Sequence, residues 1–417
     1  MFRIKPKTTD AVQISNAAYV EQYEDITDVN LIAMVAQKIS NLVVTDSTVE
    51  IDKTNARAKF LGAALTRCMA QSKNIVTRVL GTGGVVLKPY LHAGQIYTEV
   101  IPQRDFFVIE QVGEVITQAC FSADAFTRDN RSYVRLEYHS LSKDGIYAIK
   151  QRAIIDTQEV PLTSIPEWAH INPSQSLRGV KQMLFAFIKS PTDNRKQLAD
   201  IYGVPVTYGQ DKIIHEVVEL LNELQYEFRK KGAFIGVSDL LFDAANKLPT
   251  DGIYKKYKTD DENFWEVYSP DIRVQAYLDG INSKLELLEK AIGVNKGVLT
   301  NLDTANATAT AIRRSTVDTW SLVENIRDIF ETAINNLVYA FDVISTANSI
   351  VPSGEYQVSF DWDYSLLEDS AERFNQLQTG VASGYIHPWE ARAWVMNESA
   401  EDAQANMPDM EQLLSEV

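Results

Sequence analysis

The sequence predicts an α+β fold: a mixed domain of helices and antiparallel strands joined to long helices, with a small β-rich insert between two of them. Three observations carry this. Between residues 85 and 152 short apolar runs recur, punctuated by turn residues. Residues 211–231 and 273–292 each draw one apolar stripe at helical spacing, and residues 232–272 between them do not. From Thr310 to Ile344 helical spacing continues unbroken, about 50 Å of rod where an average helix has about 11 to 12 residues.

The elements follow in order. Val29, Ile32, Val35, Ala36, Ile39 and Leu42 keep helical spacing behind Asp28, and a second helix spans 55–80. Gly81-Thr82-Gly83-Gly84 breaks it. Strands are predicted over 85–90, 95–100 and 106–109, the first two joined through His92-Ala93-Gly94, and others over 116–121, 133–139 and 145–152. Over 211–231, Ile214, Val217, Val218, Leu221, Leu224 and Phe228 face inward, and Arg229-Lys230-Lys231 suits the negative end of the helix dipole. The insert reads as strands over 233–237, 252–258 and 263–267. Beyond it Val274, Tyr277, Ile281, Leu285, Leu288 and Ile292 alternate in steps of three and four and need a packing partner. The long helix carries Ile312, Trp320, Val323, Phe330, Ile334, Leu337 and Phe341. A strand over 356–362 and polar helices over 370–383 and 388–397 close the chain.

With 417 residues, 45% of them hydrophobic, the chain can bury a large core in two or three domains. No apolar run approaches the 18 or so residues of a membrane span, and Met1-Phe2-Arg3-Ile4-Lys5-Pro6-Lys7 leads into polar residues rather than a signal-peptide core, so synthesis and use in the cytoplasm are expected. Only Cys68 and Cys120 occur, without metal spacing, which argues against a disulfide framework or zinc site. The net charge is −16, and residues 355–417 hold 13 acidic against 2 basic residues. A protein gripping nucleic acid by its phosphates needs the opposite sign. An acidic face is either simply solvated or a surface along which a duplex moves without sticking.

No catalytic constellation emerges. Gly81-Thr82-Gly83-Gly84 follows a helix, lacks the Lys-Ser/Thr pair of a phosphate loop and reads as a turn. His92, His139, His170, His215 and His387 show no ligand spacing. Asp361 and Asp363 share one strand face, but nothing nearby completes a site. Arg313-Arg314 at a helix start opposes the dipole, which fits either solvent exposure or an acidic partner. Tyr254-Lys255-Lys256-Tyr257-Lys258 is followed at once by Thr259-Asp260-Asp261-Glu262, so its field is cancelled within a Debye length of about 8 Å and it suits protein docking at least as well as phosphate. Residues 293–310 start with a glycine suited to a left-handed C-cap and end in threonines suited to an N-cap. Loops this long are usually functional or disordered, since packed helices are joined by about 2 to 8 residues.

The order of these elements resembles the portal protein family of tailed bacteriophages, particularly siphophages of Gram-positive hosts. The most specific likeness is Ile292-Gly293-Val294-Asn295-Lys296-Gly297, then Thr308-Ala309-Thr310-Ala311-Ile312 and a long helix, similar to the family's glycine turn, Thr-Ala-Thr-Glu-Ile-like segment and tunnel helix. Ala311 stands where those portals usually carry Glu. Residues 84–102, and Val381-Ala382-Ser383-Gly384-Tyr385-Ile386 with Glu390 and Arg392, are also similar, with His387 in place of the usual Ser.

The resemblance implies a portal-like fold: a wing over 1–190, a stem helix region over 191–231, a clip over 232–272, a second stem helix over 273–292, a tunnel loop over 293–310, a long helix over 311–354, and a C-terminal wing strand with a small acidic crown over 355–417. It implies a homo-oligomeric ring, usually of twelve subunits, at one capsid vertex of the virion, assembled in the host cytoplasm. Double-stranded DNA would pass through it without sequence specificity. Terminase large subunit, a head-tail connector or adaptor, and major capsid or scaffold protein would be its partners, with no enzyme activity, cofactor, metal or membrane. Asn295, Lys296, Asn301, Asp303 and Asn306 would face the duplex, and Lys255, Lys256 and Lys258 would be exposed at the clip. The stripe Val274, Tyr277, Ile281, Leu285, Leu288 and Ile292 would pack the stem. The alternatives are another virion or scaffolding protein assembling through helices, and a hydrolase or nuclease; the β insert argues against the first and the missing carboxylate cluster against the second.

Overall fold

A computed structural model describes residues 30–45, 47–194, 201–229, 234–238, 253–257, 265–268, 273–300, 309–362, 370–396 and 398–407. The chain divides into two compact units, one of residues 1–43 and 50–359 and one of 44–49 and 360–417.

In the larger unit, α1 (Leu31–Val44) buries Ile32, Val35, Ile39 and Val43 at helical spacing. The Asn55 side chain accepts the Ala58 N–H and starts α2 (Ala56–Met69). The single helix expected over 55–80 is two helices, because Gln71 leaves helical geometry before α3 (Ser72–Thr82). The apolar spacing runs through this break unchanged, from Leu65 and Cys68 to Ile75, Val76 and Val79. Tertiary packing rather than pattern sets it: α2 lies against β3 (Gln95–Pro102) and α3 against β2 (Gly84–His92).

The Gly81–Gly84 segment is a turn, with Gly83 as the left-handed C-cap of α3. Side chains are also excluded here by contact. A Cβ on Gly203 would lie 1.9 Å from the Gly83 carbonyl oxygen, and Gln103 clamps Gly203 from the other side through its N–H and C=O, both at 3.0 Å.

β2 and β3 form the expected hairpin, turning through Ala93 and Gly94 at positive φ, and β10 (Ala186–Lys189) adds to β2. The second sheet is antiparallel in the order β4 (Phe106–Val112), β5 (Val115–Arg128), β6 (Arg131–Leu141), β7 (Ile146–Ile155), β8 (Gln158–Val160), with β9 (Ser174–Arg178) also on β7. Phe106, Phe121 and Phe185 meet at centroid distances of 5.2 to 5.5 Å in the core between the sheets.

Beside that cluster lies a buried polar network. His139 Nε2 donates to Glu137 at 2.6 Å, which leaves Nδ1 to accept from the Tyr147 hydroxyl. Lys88 reaches Glu137 and Glu99, each at 3.2 Å, and Gln151 donates to Glu137 at 2.7 Å. Burial alone would raise the Glu137 carboxyl, but the His139 hydrogen bond and the Lys88 charge hold it well below the ordinary carboxylate range. Burial lowers the His139 imidazole and keeps it neutral, against the smaller raising effect of Glu137.

The long helix expected from 310 to 344 is α6 (Ala309–Ala347), 39 residues. Val323, Ile326, Phe330, Ile334, Leu337 and Phe341 are buried along it, Trp320 is half-buried, and Ile312 lies outside the residues whose side chains are described. Its far end joins the sheet core through Ala340. Two buried arginines fix it: Arg57 of α2 lies 3.1 Å from Asp342 and donates to Ser345 and Thr346, and Arg327 donates to the Val43 carbonyl at 3.2 Å.

β1 (Thr48–Ile51) and β14 (Val358–Asp361) pair as a two-stranded ribbon. The smaller unit holds α7 (Ser370–Ala382), α8 (Pro388–Met396) and α9 (Ala400–Ala405). His387 stands where a Ser would cap α8, and Glu390 still closes that end by accepting the His387 N–H at 2.7 Å. Arg392 pairs with Glu398 at 3.2 Å.

Acid should loosen the larger unit. The folded state refuses the proton that unfolded His139 takes up, so this contribution is whole above the ordinary histidine pKa of about 6.5 and is lost as pH falls below it, by at most about 1.4 kcal/mol per pH unit. Glu137 has the same sign, its share fading as pH drops below about 4.3. Urea unfolding of the wild type between pH 7 and 5 should show this slope, and the His139→Gln variant should flatten it.

Candidate functional site

The described residues among those singled out by the sequence lie on an antiparallel helix pair, on the sheet of the insert between its two helices and on the root of the loop that leaves it. Asp211 occupies the first turn of α4 (Asp211–Arg229), where a carboxylate suits the dipole. α5 (Val274–Ile292) runs back beside it: Glu216 faces Lys284 at 2.6 Å, Leu220 faces Gly280, and Glu227 faces Arg273, so each step up one helix is a step down the other. The hydrogen bonds from Lys284 and Arg273 lower the carboxyls of Glu216 and Glu227 respectively.

The stripe is buried over its second half. Ile281, Leu285, Leu288 and Ile292 are buried, as are Ile214, Val217 and Val218 of α4. Val274 and Tyr277 are half-buried, with Tyr277 donating to Glu227 at 3.2 Å. Phe228, expected to face inward, is 45% exposed. It sits at the insert end of the pair, where burial fades along both helices. Leu278 and Leu287 are also exposed, at 41% and 49%. Nine residues at about 100° each place them on opposite sides of α5.

The insert is a three-stranded sheet in the order β12 (Ile253–Tyr257), β11 (Phe234–Ser238), β13 (Trp265–Tyr268). β12 runs parallel to β11, with Lys255 opposite Gly236 and Lys256 opposite Val237. Among the described strands, Lys255 and Lys256 thus lie on an edge, and Lys258 lies outside the described residues.

At the other end of α5, Gly293 takes the left-handed C-cap with φ 76°. The loop root beyond it is organised by Glu289, a residue that sequence patterns alone did not single out. Glu289 is 1% exposed, and its carboxylate accepts the N–H groups of Gly297 at 3.1 Å, Leu299 at 2.6 Å and Thr300 at 2.9 Å, with the Thr300 hydroxyl at 3.0 Å. Thr319 of α6 accepts the Asn295 N–H at 2.8 Å, and Lys296 pairs with Glu286 at 2.6 Å. Asn295 and Lys296 therefore belong to a fastened root, whereas Asn301, Asp303 and Asn306 lie outside the described residues. A signal for Glu289 existed: a carboxylate in the last turn of a helix, adjoining the buried stripe, opposes the dipole and needs a donor set.

Among the described residues no three His, Cys, Asp or Glu side chains gather as metal ligands. No described helix is long and apolar enough to cross a membrane.

Residues 218–412, just under half of the chain, match the family described as "Phage portal protein, SPP1 Gp6-like". Among solved structures the chain is similar to an HK97 family phage portal protein from Corynebacterium diphtheriae, at 10% identity, covering 84% of this chain and 96% of that one, with a TM-score of 0.35. It is also similar to chains in the neck of an empty GTA particle computed with C6 symmetry (11% identity, 94% of each chain, TM-score 0.40) and in the neck of a native GTA particle computed with C12 symmetry (12% identity, 90% and 92%, TM-score 0.36). No protein of curated function matches the sequence. The family match bears on this stretch, which takes in the sequence of the helix pair from Val218 onward, the insert, the loop and α6: there the chain is similar to the phage portal class. Within that class the matched family is the SPP1 Gp6-like portals.

The two faces of α5 should separate in mutagenesis. Leu288→Ala should destabilise the fold by about 2 to 4 kcal/mol, as a buried truncation does. Leu287→Ala should stay within about 0.5 kcal/mol in the monomer. Denaturant midpoints of both variants check this.

Proposed function

We propose that this chain is one subunit of a portal ring at a single capsid vertex of the virion, a passive conduit for double-stranded DNA during packaging, retention and ejection. The observation that supports it most is the coincidence of the family match with α5, the fastened loop root and α6, two long rods joined through an anchored root. Copies related by rotation need two different, complementary faces to make a contact that closes into a ring. Leu278 and Leu287, on opposite sides of α5, supply exposed apolar surface of that kind.

The ring is proposed to hold twelve subunits. Its charge favours passage over grip: at −16 per copy, with an acidic C-terminal segment, the assembly offers few cations to release counterions from a duplex. Asn295, Lys296, Asn301, Asp303 and Asn306 would lie nearest the DNA, and Lys255, Lys256 and Lys258 would present a docking edge to terminase large subunit and to the head-tail adaptor. Major capsid or scaffold protein would hold the ring in the shell. The subunits would be made in the host cytoplasm and work without catalysis or cofactor.

Negative-stain images of the purified full chain should show rings with a central hole, and mass photometry should return a closed multiple of the subunit mass. Filaments or small helical oligomers would overturn this reading. Replacing residues 301–308 with a Gly-Ser stretch of equal length should leave rings intact and lower the fraction of DNA-filled heads in a complementation assay; unchanged filling would remove the loop from the conduit.

A further inference from the structure

We propose that Glu289 is the positioning residue that fastens the tunnel loop to the stem, so that residues 294–300 travel with α5 as one body. Four features of the geometry point to it. The carboxylate is 1% exposed, yet it is placed on backbone N–H groups and a hydroxyl rather than on a cation. One oxygen, Oε1, takes all three N–H groups, so the contact depends on reach and on an acceptor rather than on charge. The backbone carbonyl of the same residue accepts the Gly293 and Val294 N–H groups, so one residue both ends the helix and holds the loop root. Val294 is buried, and Asn295 is tied to Thr319 of α6, which fixes the root between two helices.

A helix C-terminus exposes carbonyls, and a loop turning back over it exposes N–H groups that water would otherwise satisfy. Glu289 meets the second need from inside. Without it, the Leu299 and Thr300 N–H groups lose their acceptor together, the Gly297 N–H keeps only the Thr300 hydroxyl at 3.1 Å, and the loop root has no reason to keep its height on the stem. The role in DNA handling rests on the portal reading above; the fastening itself does not.

The test uses the full chain with Glu289 replaced by Leu, Asp and Gln. Gln keeps the reach and one carbonyl oxygen, and its amide can donate to the Thr300 hydroxyl, whereas Asp keeps the charge but is one methylene too short. Amide hydrogen exchange at Leu299 and Thr300 should accelerate by about tenfold or more in Glu289→Leu and Glu289→Asp and stay near wild type in Glu289→Gln. Glu289→Asp keeps a polar side chain in place and serves should Glu289→Leu fail to fold. Ring images should be unchanged, and DNA-filled heads should fall in the Leu and Asp variants and recover in the Gln variant. Unchanged exchange in Glu289→Asp, or Gln as damaging as Leu, overturns the fastening. Faster exchange with undiminished filling overturns its role in DNA handling. Absence of rings in the wild type would defeat the portal reading, while the exchange pattern would still decide the fastening.

Discussion

Much of the larger unit depends on one constraint, that α6 must stay a single uninterrupted rod while its two ends serve different neighbours. Thr319 near one end holds the loop root through Asn295, and Ala340 near the other is part of the core beneath the sheets. Their separation of 21 positions spans about 32 Å. A kink anywhere along this stretch would tilt the loop relative to the sheets. The buried face from Val323 to Phe341 contains neither Gly nor Pro, the usual causes of such kinks.

Apolar packing alone would let that rod slide, since a stripe of similar side chains fits its neighbours nearly as well one turn along. The buried polar contacts oppose this. Arg57 meets Asp342, Ser345 and Thr346 in one register only, and Arg327 reaches the Val43 carbonyl. Such groups contribute little net stability, because the desolvation of a guanidinium offsets most of the attraction, but a misplaced one costs several kcal/mol. The Glu137 network does the same for the sheets: Lys88 on β2 and Gln151 on β7 converge on one carboxylate of β6. Register, more than adhesion, is what these buried charges supply.

How much of this was legible in the sequence depended on how local the determining physics is. The α5 stripe, the Gly293 cap, the strands of the insert and the extent of α6 all follow from spacing and backbone preference within a few residues. The break at Gln71 did not, because the apolar period continues across it and only the packing of α2 and α3 on different strands ends the helix. The short strands β8, β9 and β10 escaped for a similar reason, being stabilised by the partners they add to. The parallel pairing of β11 with β12 is a matter of how the chain crosses between them, and alternation carries no information about direction. Glu289 and Thr319 are 30 residues apart and serve the same loop root, a relation no single-sequence pattern displays. The exposed position of Phe228 was misread because a helical stripe says which residues share a side, and not how far along the helix a partner covers it.

The contact between Glu227 and Arg273 brings the end of α4 beside the start of α5. The insert therefore enters and leaves the helix pair at adjacent points, and among the described residues the ion pairs that join the two helices come from α4 and from Arg273 and α5 themselves. An assembly built this way permits transplantation: the tip could be exchanged for one of different length or chemistry, retuning the machinery it meets, while the shaft keeps its own geometry.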